Sequence, residues 1–180
     1  MLHSNSRQTA RLRRVCAGLL WFVCAFGVSA RANSLVAGQP APSITLTTLD
    51  GQRIDTRDLR GKVVIVTFWA TWCEPCREEL PLLSRYARQH AAQGLVVLGF
   101  SLDSADQLGK VRAVANSLSF PTGLLGDPHV PGYGRIWHLP VSFVIGRDGR
   151  LVDDGWKDDQ PVWTSRRLQR IVTPLLVPLD

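Results

Sequence analysis

The sequence predicts an α/β domain with a mixed sheet, because strand and helix patterns alternate along the chain before a final hairpin and helix. Val63–Trp69 is almost continuously apolar and β-branched, as expected of a central strand that is covered on both faces. From Pro75 to about His90, apolar residues recur at helical spacing between charged ones. These two patterns place a buried strand directly before a helix.

The remaining segments complete this prediction. Alternating residues in Ile44–Leu49, followed by Asp50-Gly51 and Gln52–Ile54, predict an N-terminal β-hairpin extension. The further predicted elements are a buried strand over Leu95–Phe100, a helix over about Asp106–Ser117, an extended piece from Phe120-Pro121, a strand over Val141–Ile145, a returning strand at Leu151-Val152 and a terminal helix over Trp163–Val172.

The distribution of charge argues against a nucleic-acid partner. The net charge is +6, but five arginines and no acidic residue precede Asn33. The rest of the chain carries 16 basic and 15 acidic side chains, so it has no excess of positive charge for a binding face.

Residues 1–32 have the three parts of a secretory signal, and residues 33–180 form the predicted domain. Met1–Arg14 is polar and basic, Val15–Val28 is apolar, and Ala30–Ala32 matches a cleavage pattern. A helix of the apolar run would span about 21 Å, whereas the hydrocarbon core of a membrane is roughly 30 Å thick. Cleavage is therefore favoured, with an uncleaved membrane anchor as the alternative; a buried core helix fits the flanking arginines poorly. Either outcome predicts a periplasmic protein, free or tethered to the inner membrane.

The cysteines indicate redox chemistry. Of four, Cys16 and Cys24 lie in the export segment, which leaves Cys73 and Cys76 as the only pair in the exported domain. Two residues apart, they enclose too short a loop to stabilise the fold much. Half of a zinc site is one alternative, but the exported domain has no second cysteine pair and no suitable histidine spacing. A permanent structural disulfide is the other alternative. We predict no metal, and no nucleotide or flavin motif is present; the dithiol itself is the redox group.

The Cys73-Glu74-Pro75-Cys76 motif falls where the central strand gives way to the helix. Pro75 suits the first helical turn, and the positive end of the helix dipole favours a thiolate at Cys73. In this geometry the first sulfur points outward and the second inward. Cys73 is therefore the predicted nucleophile towards a substrate disulfide, and Cys76 resolves the mixed disulfide.

The stretch from Phe68 to Pro81, FWATWCEPCREELP, resembles the active-site segment of the TlpA/ResA-like thiol–disulfide oxidoreductases, which include the CcmG/DsbE reductases of cytochrome c maturation. The similarity continues at Leu59–Lys62, Phe120-Pro121 and Leu139–Gly149, and covers nearly everything after the export segment. It implies a thioredoxin-like fold.

The resemblance also implies three roles at the site. Pro140 matches a cis-proline beside the cysteines that would expose the backbone of Leu139 to an extended substrate; an ordinary trans proline is the alternative. Glu79 matches a part-buried glutamate that moves the proton of Cys76, although it could instead be a solvated helix residue, as we expect of Glu78. Trp72 would cover the sulfurs and contact substrate, whereas Trp69 is expected in the core.

Two positions depart from the family pattern. Gly146 stands where aspartate is common, and His138 stands where glycine is common. His138 could perturb the cysteines, but a loop histidine without a redox role is favoured. These departures weaken assignment to a subfamily and leave the reaction class unchanged.

The charges near the motif predict a reductase, because Glu74 and Glu79 disfavour the stabilised thiolate that a strong oxidant needs. By resemblance, the electron donor would be a membrane thiol transporter of the DsbD/CcdA type. The substrates would be apocytochrome c or other oxidised envelope proteins.

Two other functions remain open at this stage. A peroxiredoxin-like peroxidase shares the fold core, but Phe68–Trp72 does not match the context of a peroxidatic cysteine. A copper chaperone, or a haem or apocytochrome holder, would use the cysteines for capture only. Copper chaperones of this fold space their cysteines by three residues, and this chain has two between them.

Overall fold

The computed structural model describes residues 35–157, 159 and 161–177. Within these residues the chain forms nine β-strands and four α-helices. The strands are β1 (Thr45–Thr47), β2 (Arg53–Asp55), β3 (Val63–Trp69), β4 (Leu95–Ser101), β5 (Thr122–Leu124), β6 (His129–Val130), β7 (Gly134–Arg135), β8 (Val141–Ile145) and β9 (Leu151–Asp153). The helices are α1 (Glu74–His90), α2 (Leu108–Ala115), α3 (Ser165–Ile171) and α4 (Thr173–Leu176).

Five strands form a central sheet in the order β5–β4–β3–β8–β9. β3 pairs in parallel with β4, and β4 with β5, whereas β8 runs antiparallel to both β3 and β9. The predicted mixed sheet is therefore confirmed. All seven residues of β3 are buried, which explains why this strand reads as an unbroken apolar run.

The predicted N-terminal hairpin is also confirmed, since β1 pairs antiparallel with β2 and Thr45 lies opposite Asp55. Gly51 in its turn has a φ of 88°, a left-handed conformation that glycine adopts without steric cost. The Leu49 N–H beyond β1 donates to the Thr122 carbonyl of β5 at 2.9 Å. The hairpin is thereby joined to the edge of the central sheet.

Helix α1 follows β3 after a short turn and matches its prediction to within one residue at the N-terminus. Pro75 lies in the first turn, where a missing N–H breaks no helical hydrogen bond. One face of the helix is buried, and it includes Cys76, Glu79, Leu80, Leu83 and Ala87. A 3-10 turn over Ala91–Gln93 then leads to Gly94, whose φ of 85° ends the helical segment.

The central sheet separates two hydrophobic cores. The core on the side of α1 includes Trp69, Cys73, Cys76, Leu80, Trp163 and Leu168. The core on the other side includes Phe68, Phe100, Tyr133 and Phe143. Because successive residues of a strand point to opposite faces, Phe68 and Trp69 belong to different cores. Both faces of β3 are therefore covered close to the point where the cysteine motif begins.

Two predicted helices have different boundaries in the structure. The helix predicted over about Asp106–Ser117 is shorter, because α2 begins at Leu108 after a 3-10 turn over Ala105–Gln107. The terminal helix predicted over Trp163–Val172 begins at Ser165, because the Thr164 hydroxyl caps it by accepting from the Arg167 N–H at 3.1 Å.

The C-terminal segment then continues as the separate helix α4, with Pro174 in its first turn. The small hairpin of β6 and β7 was not predicted from the sequence.

The predicted signal or anchor over residues 1–32 lies outside the described residues, and the division into residues 1–32 and 33–180 stays a prediction. Among the helices of the described ranges, none combines the length and the apolar character needed to span a membrane.

Candidate active site

Cys73 and Cys76 lie at the N-terminus of α1 and are joined by a disulfide bond, with their Cα atoms 5.3 Å apart. Cys73 is the residue that caps the helix, and its Sγ accepts a hydrogen bond from the Cys76 N–H at 3.2 Å. Cys76 is fully buried, whereas 5% of Cys73 is exposed. Both cysteines are thus buried in this oxidised state, and the outward orientation of the Cys73 sulfur stays a prediction.

The strand register brings three loops to one edge of the sheet, the edge that is formed by the ends of β3 and β4 and the start of β8. Phe68 near the end of β3 lies opposite Val141 at the start of β8, and Trp69 lies opposite Ser101 at the end of β4. The turn that carries Cys73, the loop after β4 and the Leu139–Pro140 loop therefore meet beside one another. A substrate that reaches Cys73 must approach this edge.

The Leu139–Pro140 peptide bond is cis, as the sequence resemblance implied, and the trans alternative is wrong. Pro140 is buried, and Leu139 is partly buried between the two hydrophobic cores. Their predicted role in binding substrate stays a prediction.

Trp72, directly before the buried Cys73, has 68% of its surface exposed. It lines a cleft of about 390 Å³ together with Leu102, Ser104 and Gln107 from the connection between β4 and α2 and with Lys110 of α2. The cleft gives Trp72 an open surface next to the cysteines. Trp69, in contrast, is fully buried in the core, as predicted.

Glu79 was predicted to be part-buried, but only 1% of it is exposed. One carboxylate oxygen accepts a hydrogen bond from the backbone N–H of Trp163 at 2.7 Å. The other oxygen has no hydrogen-bond partner among the described residues. Burial raises the pKa of Glu79 from 4.5 to about 7, and the Trp163 N–H and the positive charge of Arg167 offset only part of that rise. Glu79 lies three residues after Cys76 on the buried face of α1. Its carboxyl group is therefore able to gain or lose a proton near neutral pH.

Residues 37–153 match the model of the AhpC/TSA family. The chain belongs to the AhpC/TSA family. The matched range includes both cysteines, Glu79 and the cis-proline, and thus the whole edge described above.

Within the AhpC/TSA family, the chain is similar to thiol–disulfide oxidoreductases. It is 30% identical over 139 residues to the thiol–disulfide oxidoreductase ResA of Bacillus thuringiensis (strain Al Hakam). The aligned region covers 77% of this chain and 80% of that protein.

Two solved structures from Chlorobium tepidum agree. One is described as a thiol:disulfide interchange protein of the thioredoxin family, with a TM-score of 0.67, 28% identity and coverage of 80% of this chain and 99% of the other. The second is assigned as the thiol:disulfide interchange protein DsbE, with a TM-score of 0.63, 25% identity and coverage of 80% and 100%. The fold is thus thioredoxin-like, and the chain is a thiol–disulfide oxidoreductase of the ResA/DsbE type.

The position of His138, one of the departures from the family pattern, is now defined. Its ring packs against Trp137 and Trp156, with centroid distances of 4.3 and 5.1 Å. Trp137 is 74% exposed and is stacked parallel on Trp156, with 6.1 Å between the centroids. The histidine thus belongs to an aromatic cluster next to the Leu139–Pro140 loop.

One buried residue at this edge, Asp103 in the loop after β4, was not predicted from the sequence. Its carboxylate accepts hydrogen bonds from Thr71, two residues before Cys73. The only sequence signal was its place two residues after a buried strand whose carboxyl end lies beside the cysteine turn. In the described part of the chain, no cluster of three or more His, Cys, Asp or Glu side chains is arranged to hold a metal ion.

Proposed function

We propose that this protein is an exported reductase of disulfide-bonded envelope proteins, with Cys73 as the nucleophile and Cys76 as the resolving cysteine. The observation that carries the proposal is the arrangement of three groups at one helix N-terminus. Cys73 caps α1, Cys76 lies beneath it, and the carboxyl group of Glu79 is buried one turn further along.

The reaction starts from the dithiol form. The Cys73 thiolate attacks one sulfur of the substrate disulfide, that S–S bond breaks, and the first substrate thiol leaves while a mixed disulfide forms. The Cys76 thiolate then attacks the Cys73 Sγ, and the second substrate thiol leaves. Two electrons and two protons have passed to the substrate, and Cys73 and Cys76 are joined in the disulfide state described here.

Glu79 is the proposed base for the second step. Cys76 is fully buried, so no solvent water has ready access to its thiol proton. A carboxylate with a pKa of about 7 is able to take that proton at neutral pH and to return it when the disulfide is reduced again. The oxygen of Glu79 that has no hydrogen-bond partner among the described residues would take part in this transfer.

Trp72, Leu139 and Pro140 are the proposed substrate contacts. The cis bond before Pro140 turns the Leu139 backbone at the edge where the cysteines lie, and an extended peptide would pair with it there. The exposed Trp72 indole offers apolar surface on the other side of Cys73.

The direction of electron flow and the compartment are part of the proposal. Residues 1–32 would direct export to the periplasm, with the protein released by cleavage or held by an anchor. A membrane thiol transporter of the DsbD/CcdA type would then reduce the Cys73–Cys76 disulfide after each turnover. Apocytochrome c and other oxidised envelope proteins are the proposed substrates, as the resemblance of the active-site segment to the TlpA/ResA-like family implies.

Trapping with Cys76→Ala tests the mechanism. The domain from residue 33 onward, reduced and mixed with an oxidised Cys-x-x-Cys-His peptide as a probe of apocytochrome c, should accumulate a mixed disulfide through Cys73. Cys73→Ala is the matched control and should form none. Failure of the wild-type domain to exchange with this peptide or with any other disulfide would contradict the proposed activity.

Redox titration against glutathione tests the direction. If the protein is a reductase, we expect its potential to lie nearer that of thioredoxin, about −270 mV, than that of DsbA, about −120 mV. A value close to that of DsbA would make the protein an oxidase of thiols. Rapid turnover of hydrogen peroxide would instead favour a peroxiredoxin-like peroxidase. Stoichiometric binding of copper or haem without exchange activity would favour a copper chaperone or a haem or apocytochrome holder.

A further inference from the structure

The carboxylate of Asp103 connects two elements that are distant in sequence. Its Oδ1 accepts a hydrogen bond from the Thr71 hydroxyl at 2.6 Å, and its Oδ2 accepts from the Thr71 N–H at 2.8 Å. The Ser101 hydroxyl at the end of β4 also donates to Oδ2, at 2.7 Å. Only 4% of Asp103 is exposed. A buried carboxylate with three donors at these distances is a strong and specific contact.

The residue that Asp103 holds lies inside the turn between β3 and the cysteine motif. On one side of Thr71, the Trp69 carbonyl accepts from the Leu102 N–H at 2.8 Å, and this bond joins the end of β3 to the same loop as Asp103. On the other side, the Cys73 N–H donates to the Ala70 carbonyl at 3.1 Å. The backbone before Cys73 is therefore fixed to the loop after β4 at Trp69 and at Thr71.

This attachment has its largest consequence when the disulfide opens. In the oxidised state the S–S bond itself holds Cys73 next to Cys76. After reduction that bond is gone, and Cys73 is held by the helix cap and by the turn before it. The closer the turn keeps the two thiols, the higher is their effective concentration towards each other and the more stable is the disulfide relative to the dithiol.

We propose that Asp103 is a positioning residue of the redox pair, which holds the Thr71–Cys73 turn in place and thereby stabilises the disulfide state relative to the dithiol. The proposal deepens the proposed function and rests on it, since it assumes that the pair cycles between the two states. Removal of the attachment should favour the dithiol. The negative charge of Asp103 acts in the same direction, because its removal would make a nearby thiolate less unfavourable.

The test is the equilibrium between the protein disulfide and glutathione in Asp103→Asn, Thr71→Val and the wild-type domain. Asp103→Asn keeps the shape of the side chain but loses an acceptor for the Thr71 N–H and the Ser101 hydroxyl. We expect its equilibrium constant for reduction to rise about tenfold, which corresponds to about 30 mV for a two-electron couple. Thr71→Val keeps the carboxylate and removes only the hydroxyl bond, so a rise of about threefold in the same direction is expected.

The matched control is Asp106→Asn, three residues further along the same loop. Asp106 is an exposed carboxylate whose hydrogen bonds go to Ser104 and Gln107, outside the cysteine turn. Its variant should have the equilibrium constant of the wild type.

Three results would overturn the proposal. One is an unchanged equilibrium constant in both Asp103→Asn and Thr71→Val, even with a lower free energy of unfolding, because Asp103 would then be structural only. The second is a shift in Asp103→Asn with none in Thr71→Val, which would assign the effect to charge alone. If Asp103→Asn does not fold, Thr71→Val alone tests the proposal. The third contradicting result is then an equilibrium constant for reduction in Thr71→Val that equals that of the wild type. A wild-type domain that does not equilibrate with glutathione at all would instead contradict the proposed function.

Discussion

The carboxylate of Glu79 accepts a hydrogen bond from the Trp163 N–H at 2.7 Å, although 84 residues separate the two in the chain. The contact joins the buried face of α1 to the segment that leads into α3. Trp163 is itself 2% exposed, so the carboxyl group is enclosed by the C-terminal part of the domain. This enclosure is the physical cause of the raised pKa of Glu79.

Burial of Glu79 should make stability depend on pH. The pKa of this carboxyl is about 7 in the folded protein and 4.5 in the reference state. The folded state therefore binds the proton more tightly than the unfolded state, and this binding stabilises the fold. The stabilisation is fully present below pH 4.5 and is lost as the pH rises to about 7. A shift of this size corresponds to about 3 kcal/mol.

Urea unfolding at pH 4.5 and pH 8 measures this contribution. When the pH rises from 4.5 to 8, the free energy of unfolding of the wild type should fall by about 3 kcal/mol more than that of Glu79→Gln. Glu78→Gln, an exposed neighbour on α1, is the control and should follow the wild type. Equal pH dependence in all three proteins would contradict the raised pKa.

The same substitution should alter catalysis. If Glu79 takes the proton of Cys76, Glu79→Gln should lower the rate of disulfide exchange by roughly a hundredfold. It should also remove an inflection near pH 7 from the pH profile of the wild-type rate. Stopped-flow measurement of the resolving step provides the check, and Glu78→Gln should keep both the rate and the inflection.

Arg147 should contribute to stability without affecting exchange. Its guanidinium donates to four backbone carbonyls, those of Gly61 at 2.8 Å, Gln93 at 2.7 Å, Leu175 at 3.1 Å and Leu176 at 3.3 Å. These bonds hold the C-terminal helix to the end of the sheet opposite the cysteines. Arg147→Ala should lower the free energy of unfolding by about 2–4 kcal/mol and leave the exchange rate unchanged.

Arg150→Ala is the control for this prediction. Arg150 is exposed, and its guanidinium donates to one backbone carbonyl, that of Gly38, at 2.7 Å. The expected loss is below about 1 kcal/mol. A comparable loss in both variants by chemical denaturation would show that the four-carbonyl site has no special importance.

Two glycines should respond to alanine in opposite directions. At Gly123 in β5, a Cβ would lie 1.9 Å from the Thr47 carbonyl oxygen, so Gly123→Ala must displace the N-terminal hairpin and should cost more than about 2 kcal/mol. At Gly109 in α2, nothing lies within 4 Å of the added Cβ. Gly109→Ala should raise the free energy of unfolding by up to about 1 kcal/mol, because alanine favours the helix. Thermal unfolding of both variants against the wild type provides the comparison.

The elements with local signals were predictable from the sequence. The unbroken apolar run of β3, the helical spacing of α1 and the turn of the N-terminal hairpin each depend on residues close together in the chain. The cysteine motif is local too, since helix geometry alone places Cys73 at the cap and Cys76 beneath it. The cis bond before Pro140 was implied only through the family resemblance.

The features that were missed depend on contacts between distant segments. Helical spacing placed Glu79 on the face of Cys76, but its depth is set by Trp163, which no local pattern connects to α1. Asp103 and Thr71 are 32 residues apart and meet only because β3 and β4 are adjacent in the sheet. The start of α3 was placed two residues early, because Trp163 continues the apolar pattern whereas the Thr164 hydroxyl defines the cap.

The exposure of Trp72 directly before Cys73 offers an optical signal of the reaction. Disulfides quench the emission of nearby indoles, and this ring is 68% exposed at the chain position adjoining the sulfur. Reduction should therefore brighten the intrinsic fluorescence, and the change should be smaller in Trp72→Phe than in the wild type. The oxidation state could then be followed in real time, without a label, during turnover with any partner.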